Sequence, residues 1–242
     1  LETGVADKDH TALVELDGVI STDGEARAET VIAGLRKAFE HDRTKGVILR
    51  INSPGGSAVQ AGYIHDEILR LREEHPDTPL YAVIGDTCAS GGYYVAVAAD
   101  EIYANRASIV GSIGVVTGSF GFVEAMDKLG VERRLLTAGE HKAFFDPFSP
   151  VEASEVAHLE NLLEEIYGQF IAVVEEGRGE KLSGAADLYS GLVWTGSQSR
   201  DLGLVDALGS ASYVAREVIG VERVVDFTRQ PDYLERFADR LG

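Results

Sequence analysis

Strand-like and helix-like segments alternate along the first hundred residues, and that order constrains the fold more than any other feature. Thr11–Leu16 is a short β-rich run closed by the turn pair Asp17-Gly18. Glu25–Phe39 then places Val31, Ile32, Leu35 and Phe39 at helical spacing. Gly46–Ile51 reads as a buried strand, and Ile64, Ile68 and Leu71 mark a helix that stops before Pro76. Leu80–Ile84 is a third strand, halted at Gly85-Asp86. Tyr93–Ala99 reads as a helix and Glu101–Ala104 as a fourth strand. Strand, helix, strand, helix, strand, helix, strand predicts an α/β fold with a largely parallel sheet and right-handed crossovers.

The second half is less regular. Gly111–Val116 and Glu132–Leu136 read as strands around a helix near Val123–Leu129. Val151–Glu176 is the longest helix, with a broad apolar face from Val156 to Val174. Thr195–Leu202 and Ala211–Ile219 read as short helices, Arg223–Phe227 as a late strand, and Pro231–Leu241 as a charged amphipathic tail.

Composition excludes several classes of function. The 242 residues carry a formal charge of −18, which disfavours nucleic acid and anionic lipid surfaces. Cys88 is the single cysteine, so an intrachain disulfide and multi-cysteine zinc sites are ruled out. The longest apolar run, Tyr93–Ala99, falls far short of the roughly 20 residues of a membrane helix. No Gly-Lys-Ser/Thr ending and no G-x-G-x-x-G after a strand is present, so neither a phosphate loop nor a dinucleotide site is expected.

Chemistry is expected where strands end. Three glycine-rich segments fall there: Ser53–Ser57, Ala89–Gly92 and Gly111–Gly114. Gly55-Gly56 permits unusual backbone and leaves N–H groups unshielded, as an oxyanion site requires; a plain strand-to-helix turn would read the same. Ser90 stands at a strand–helix junction between small neighbours, similar to a nucleophile elbow, although Cys88 occupies the place of the first glycine of that motif. An N-capping serine is the bland alternative. A nucleophilic serine needs a base. His141 and Lys142 both follow the Glu132–Leu136 run, and either could serve. Burial of Lys142 beside Phe144 and Phe145 would favour its neutral amine; a solvated surface lysine is the alternative.

Taken together, these segments resemble signal peptide peptidase A, the membrane-associated Ser–Lys peptidases of bacteria. The carrying stretches are Arg50–Gly56, Ala89–Tyr94, Gly111–Gly114, Gly139–Lys142 and Gly203–Asp206 ahead of Gly209. Lys142 follows Ser90 by 52 residues, as in the short single-domain form. The resemblance runs from about Thr11 to Gly209. Cys88 falls where the family is variable, and the family's transmembrane segment is missing.

The resemblance implies a ClpP/crotonase-like fold of repeated β-β-α units with C-terminal helices. Residues 1–10 would be a leader, 11–209 the peptidase domain, and 210–242 a helical extension docked on a neighbouring subunit. Ser90 would be the nucleophile, Lys142 the base in preference to His141, and Ser112 the group orienting the amine. The N–H groups of Gly56 and Gly91 would form the oxyanion hole. Ser57, Ala58, Val59, Ile113, Gly114 and Val115 would flank an extended apolar peptide, a cleaved signal peptide being the expected substrate. Activity would have an alkaline optimum. No cofactor or metal is implied. A homo-octamer is expected, with Ser90 and Lys142 of one site from adjacent subunits. The chain, which opens on Leu1, would be a fragment whose anchor to the bacterial cytoplasmic membrane was removed, its domain on the extracytoplasmic side.

Two other readings compete. A crotonase-type acyl-CoA enzyme would share the fold but leave Ser90 and Lys142 idle. An envelope quality-control oligomer would bind peptides without cutting, or degrade misfolded proteins broadly.

Overall fold

In the computed structural model, which describes residues 8–24 and 26–229, two parallel strands set the frame. Strand β1 (His10–Asp17) runs in register with β2 (Thr44–Ser53), pairing Leu13 with Ile48 and Leu16 with Ile51. Both are buried along most of their length, as expected for a sheet covered on its faces. The crossover between them is helix α1 (Ala28–Glu40), whose buried Val31, Leu35, Ala38 and Phe39 form one stripe. Gly34 lets that helix approach β1: a methyl there would stand 3.2 Å from Val14 Cγ1.

Helix α2 (Ala58–Glu74) is the second crossover, leading to β3 (Leu80–Ala89). Ser57 caps it by accepting a hydrogen bond from the Gln60 N–H. Ala61, Ile64, Ile68 and Leu71 line its buried face. Helix α3 (Gly91–Ala96), β4 (Glu101–Ala104) and β5 (Ile109–Gly111) follow. Strand β3 is shared between two partners. Tyr81–Ile84 pair with β4, whereas Thr87–Ala89 pair with β5. The split falls at Gly85-Asp86, the break expected from sequence.

Helix α4 (Val123–Leu129) and helix α5 (Ala153–Arg178) come next. Strand β6 (Val193–Thr195), helix α6 (Gly196–Asp201), β7 (Ala207–Leu208), helix α7 (Ala211–Tyr213), a wider turn over Val214–Val218 and β8 (Val224–Asp226) complete the described chain. The sheet order is β6-β5-β3-β2-β1-β8, with β4 beside β3 and carrying β7. Every pairing is parallel except β5 with β6. The expected α/β class with a mostly parallel sheet is therefore the one found.

Several expectations need correction. Glu132–Leu136 has no ladder partner among the described residues, so it is not a strand. The run expected over Gly111–Val116 ends its pairing at Gly111. The helix expected over Thr195–Leu202 is found as α6, capped by Thr195, but strand β6 before it, which alone runs antiparallel, is an added element. The late strand expected over Arg223–Phe227 is found as β8 at the sheet edge against β1, so the extension beyond 209 is not helical throughout. The tail at Pro231–Leu241 and the first seven residues of the expected leader lie outside the described residues.

The chain divides into two units. The larger, residues up to 113 and from 171, holds the sheet and the core described above. The smaller, residues 114–170, carries α4 and most of α5; among its residues only Phe170 is buried.

Candidate active site

Ser90 follows the last residue of β3, immediately before α3, with φ 51° and ψ −123°. A non-glycine residue rarely adopts positive φ, and such strain concentrates at functional turns. The backbone around it holds that conformation. The Ser90 N–H donates to the Gly111 carbonyl (2.9 Å), and its carbonyl accepts from the Tyr94 N–H (3.0 Å). Strand β5 on one side and the first turn of α3 on the other thus fix the residue, leaving the side chain half-exposed.

The Gly55-Gly56 turn lies directly against this junction. A methyl on Gly55 would stand 2.7 Å from both Ser90 Cβ and the Gly91 nitrogen. Gly55 has φ 98° and Gly56 φ 146°. On its far side the turn is bridged to Ile20: the Ile20 N–H donates to the Gly55 carbonyl (2.9 Å) and the Ser57 N–H to the Ile20 carbonyl (2.8 Å). In a parallel bridge of this kind the N–H of the intervening residue, Gly56, points away from Ile20. A methyl on Gly91 would lie 3.4 Å from the Gly56 nitrogen. The Gly56 and Gly91 amides are therefore neighbours beside Ser90, the arrangement that can hold a developing oxyanion.

Ser53 is a supporting residue that the sequence reading missed. Its buried Oγ accepts from the Gly55 N–H (3.1 Å), and its main chain packs on Gly92, where a methyl would stand 3.0 Å from the Ser53 carbonyl. The only sequence signal was a serine inside the Asn-Ser-Pro-Gly-Gly turn.

Ser112 follows β5 with φ 52° and donates its N–H to the Leu192 carbonyl (2.7 Å). It is one residue past Gly111, whose carbonyl holds Ser90. Ile113 is buried; Ser57, Ala58 and Val59 form the cap and first turn of α2 beside Gly56, with Val59 exposed. Ser90, Gly91, Gly56, Ser57 and Ser112 are thus gathered by the ends of β2, β3 and β5 within the larger unit.

Gly114, Val115 and Lys142 belong to the smaller unit. Lys142 sits on a turn whose N–H donates to the Gly139 carbonyl (3.2 Å), with Gly139 at φ 110°. Of the two settings weighed for Lys142, the structure shows the exposed one rather than burial beside Phe144 and Phe145. The two rings pack on each other (5.3 Å between centroids) and Phe144 on His158 (5.6 Å), leaving Lys142 and His141 exposed. The turn is anchored instead by Asp146, which accepts from Arg133 (3.0 Å) and from Ser149 Oγ (2.7 Å). Arg133 also lies over the Phe148 ring.

Cys88, two residues before Ser90, is fully buried, and burial pushes its thiol well above the ordinary range. Among the described residues, no group of three or more His, Cys, Asp or Glu side chains is placed to hold a metal ion.

Comparison with known proteins places this geometry. The family model Peptidase family S49 matches residues 72–222. A Na(+)/H(+) antiporter NhaA of Brucella abortus is 45% identical over 213 residues, covering 86% of this chain and 29% of that protein. A putative signal peptide peptidase SppA of Enterococcus faecium is 30% identical over 217 residues, covering 86% of this chain and 62% of that protein. The chain thus spans under a third of the first relative and about three fifths of the second. Among solved structures, a mutant of the 1510-N membrane-bound stomatin-specific protease in complex with a substrate peptide superimposes with a TM-score of 0.56 at 14% identity, covering 97% of this chain and 98% of that one. That likeness is one of fold, and it is the ClpP-like α/β class expected from the sequence.

Proposed function

Because this chain belongs to peptidase family S49, a family of serine peptidases, we propose that it is a serine endopeptidase acting on extended apolar peptides, cleaved signal peptides among them. One observation carries the reading. The Gly55-Gly56 turn lies against Ser90 with no room for a side chain, so the Gly56 and Gly91 amides flank a strained, half-exposed serine.

In this reading the Lys142 amine takes the Ser90 proton as Oγ attacks the scissile carbonyl. Ser112 orients that amine. The carbonyl oxygen gains its charge between the Gly56 and Gly91 N–H groups, and losing one such donor typically costs about 10²–10³ in rate. The bond to the leaving amine breaks, an acyl-enzyme remains on Ser90, and water activated by Lys142 releases the acid. Main chain at Ser57–Val59 and Ile113–Val115 flanks the peptide as added strands.

The exposure of the smaller unit's side chains supports self-association as part of the same reading. Lys142 is exposed in the single chain, and Val116, Phe120, Leu129 and Leu136 of the smaller unit are 77–98% exposed. Covering these side chains with another chain would remove their apolar surface from water. A homo-oligomer, an octamer in our proposal, would cover them and bring Lys142 of one subunit to Ser90 of the next. The site would face the extracytoplasmic side of a bacterial cytoplasmic membrane, where cleaved signal peptides arise.

The test is hydrolysis of a fluorogenic peptide with an apolar P1 residue. Activity abolished by both Ser90→Ala and Lys142→Ala is expected, with partial recovery when the two variants are mixed and reassembled. Survival in Lys142→Ala would move the base to His141. Failure of mixed oligomers to recover would overturn the shared site. No hydrolysis by a folded, oligomeric parent would overturn the peptidase reading in favour of a peptide-binding scaffold.

A further inference from the structure

The Gly203-Leu204-Val205-Asp206 segment lies far from Ser90 in sequence, and nothing in the proposed reaction uses it. Its packing is unusually determined. Tyr93, in the first turn of α3 just after Ser90, is fully buried and donates its hydroxyl to the Leu204 carbonyl (2.8 Å). The neighbouring Gly203 carbonyl accepts from Arg178 Nε (2.9 Å). Arg178 is itself 1% exposed and reaches Asp206 through Nη1 (2.7 Å). Asp206 also accepts from Lys181 Nζ (2.6 Å) and from the Ile102 N–H (2.7 Å). Its own N–H returns a bond to the Ile102 carbonyl (2.8 Å). Gly203 has φ 79°, and a methyl there would stand 1.8 Å from the Lys181 carbonyl, so the segment has one position available.

This is a costly construction. Burial works against the Asp206 carboxylate, and the bonds from Arg178, Lys181 and the Ile102 N–H more than offset it, holding the group below its ordinary range. Arg178 Nη2 is buried without a hydrogen-bond partner. Buried ion pairs contribute little net stability compared with apolar packing but fix geometry. What this one fixes is the acceptor for Tyr93. Helix α3 is only six residues long, makes no side-chain cap hydrogen bond, and carries Gly91 as its first residue. A helix this short cannot hold its own position by internal bonds.

We propose that residues 203–206, clamped by the Arg178–Asp206 pair, form a buttress that holds α3 through Tyr93 and thereby sets the Gly91 amide and Ser90. Tyr93 and Asp206 are positioning residues. Their effect on rate rests on the peptidase reading above; their effect on α3 does not.

The mild variant is Tyr93→Phe, which removes one hydroxyl and keeps the ring. Asp206→Asn is the stronger one, leaving Arg178 without its charge partner. Two readouts separate the proposals. Amide hydrogen exchange in the full-length protein should rise at residues 90–96 in Tyr93→Phe, with β1 and β2 unchanged. Unchanged exchange at 90–96 overturns the buttress whether or not the protein is a peptidase. Labelling of Ser90 by a fluorophosphonate, and kcat for the fluorogenic peptide, should both fall about tenfold with KM within twofold, as expected for a misplaced reacting group. A parental protein that the reagent does not label would count against the peptidase reading alone, and the exchange data would still decide the buttress. Parental labelling rate in a variant whose α3 exchanges faster would overturn the coupling to Ser90. If Asp206→Asn does not fold, Tyr93→Phe carries the decision by both measurements.

Discussion

Gly55 and Ser90 meet with no space for a side chain between them: a methyl on Gly55 would reach within 2.7 Å of Ser90 Cβ. The strand end of β2 and the strand end of β3 are brought together by this contact. It explains the glycine at position 55; Gly56 is required by the approach of Ile20. Gly55→Ala should leave a folded protein with activity reduced by about 10²-fold or more, because the turn must retreat from the oxyanion position. Gly56→Ala would drive its methyl to 2.1 Å from the Ile20 carbonyl and should cost stability as well. Peptide hydrolysis alongside thermal unfolding checks both; an active Gly55→Ala variant would remove the turn from the site.

Cys88 predicts insensitivity to thiol reagents. Its sulfur is fully buried and its thiol is held well above the ordinary range. The thiolate is the reactive form. Iodoacetamide should leave activity untouched in the native protein and modify Cys88 only in denaturant. Mass spectrometry before and after unfolding reads the outcome, and native inactivation would point to a thiol in the chemistry.

Glu67 predicts a specific acid sensitivity. Hydrogen bonds from Arg70 and Arg36 hold its carboxyl down at about 2 from an ordinary 4.5. A depressed carboxyl contributes stability that is complete above the unfolded value and is lost as pH falls through the folded one. Glu67→Gln should therefore be less stable than the parent at pH 7. The gap should close between about pH 4.5 and about pH 2. Denaturant midpoints across that range measure it, and a gap constant with pH would show that the ion cluster linking α1 and α2 is not the cause.

Gly203→Ala should be among the most damaging single methyl additions. Positive φ and a contact of 1.8 Å with the Lys181 carbonyl act together. Strain and overpacking of this kind cost about 3 kcal/mol or more, or a drop in Tm of about 10 °C for a chain of this size. Calorimetry of the purified variant gives the number directly.

Much of this was legible in the residues. The apolar runs at Thr11–Leu16, Gly46–Ile51 and Leu80–Ile84 became the parallel centre of the sheet, because residues apolar on both faces are stable only when covered on both. The helix at Val123–Leu129 and the long helix after Pro150 followed from period and punctuation. Ser90, Gly91 and Gly56 were legible as junction residues, since small residues between a strand and a helix mark close backbone approach. Glu132–Leu136 misled because its composition suits a strand, and composition cannot supply a partner. The setting of Lys142 was open for a related reason. Adjacent phenylalanines left burial and exposure both open, and the choice fell to exposure because the two rings pack on each other and Phe144 packs on His158.

The chain by itself determined where backbone can turn and which segments are apolar, since both depend on residues within a few positions of each other. Only the tertiary structure decided that Ser90 adopts positive φ, because the Gly111 carbonyl and the Gly55 turn impose it from strands distant in sequence. It also decided that Tyr93 finds the Leu204 carbonyl and Arg178 finds Asp206, partners 111 and 28 residues away. Local propensity carries no information about such pairings. They form because a buried hydroxyl or charge left unmatched costs more than the order needed to match it.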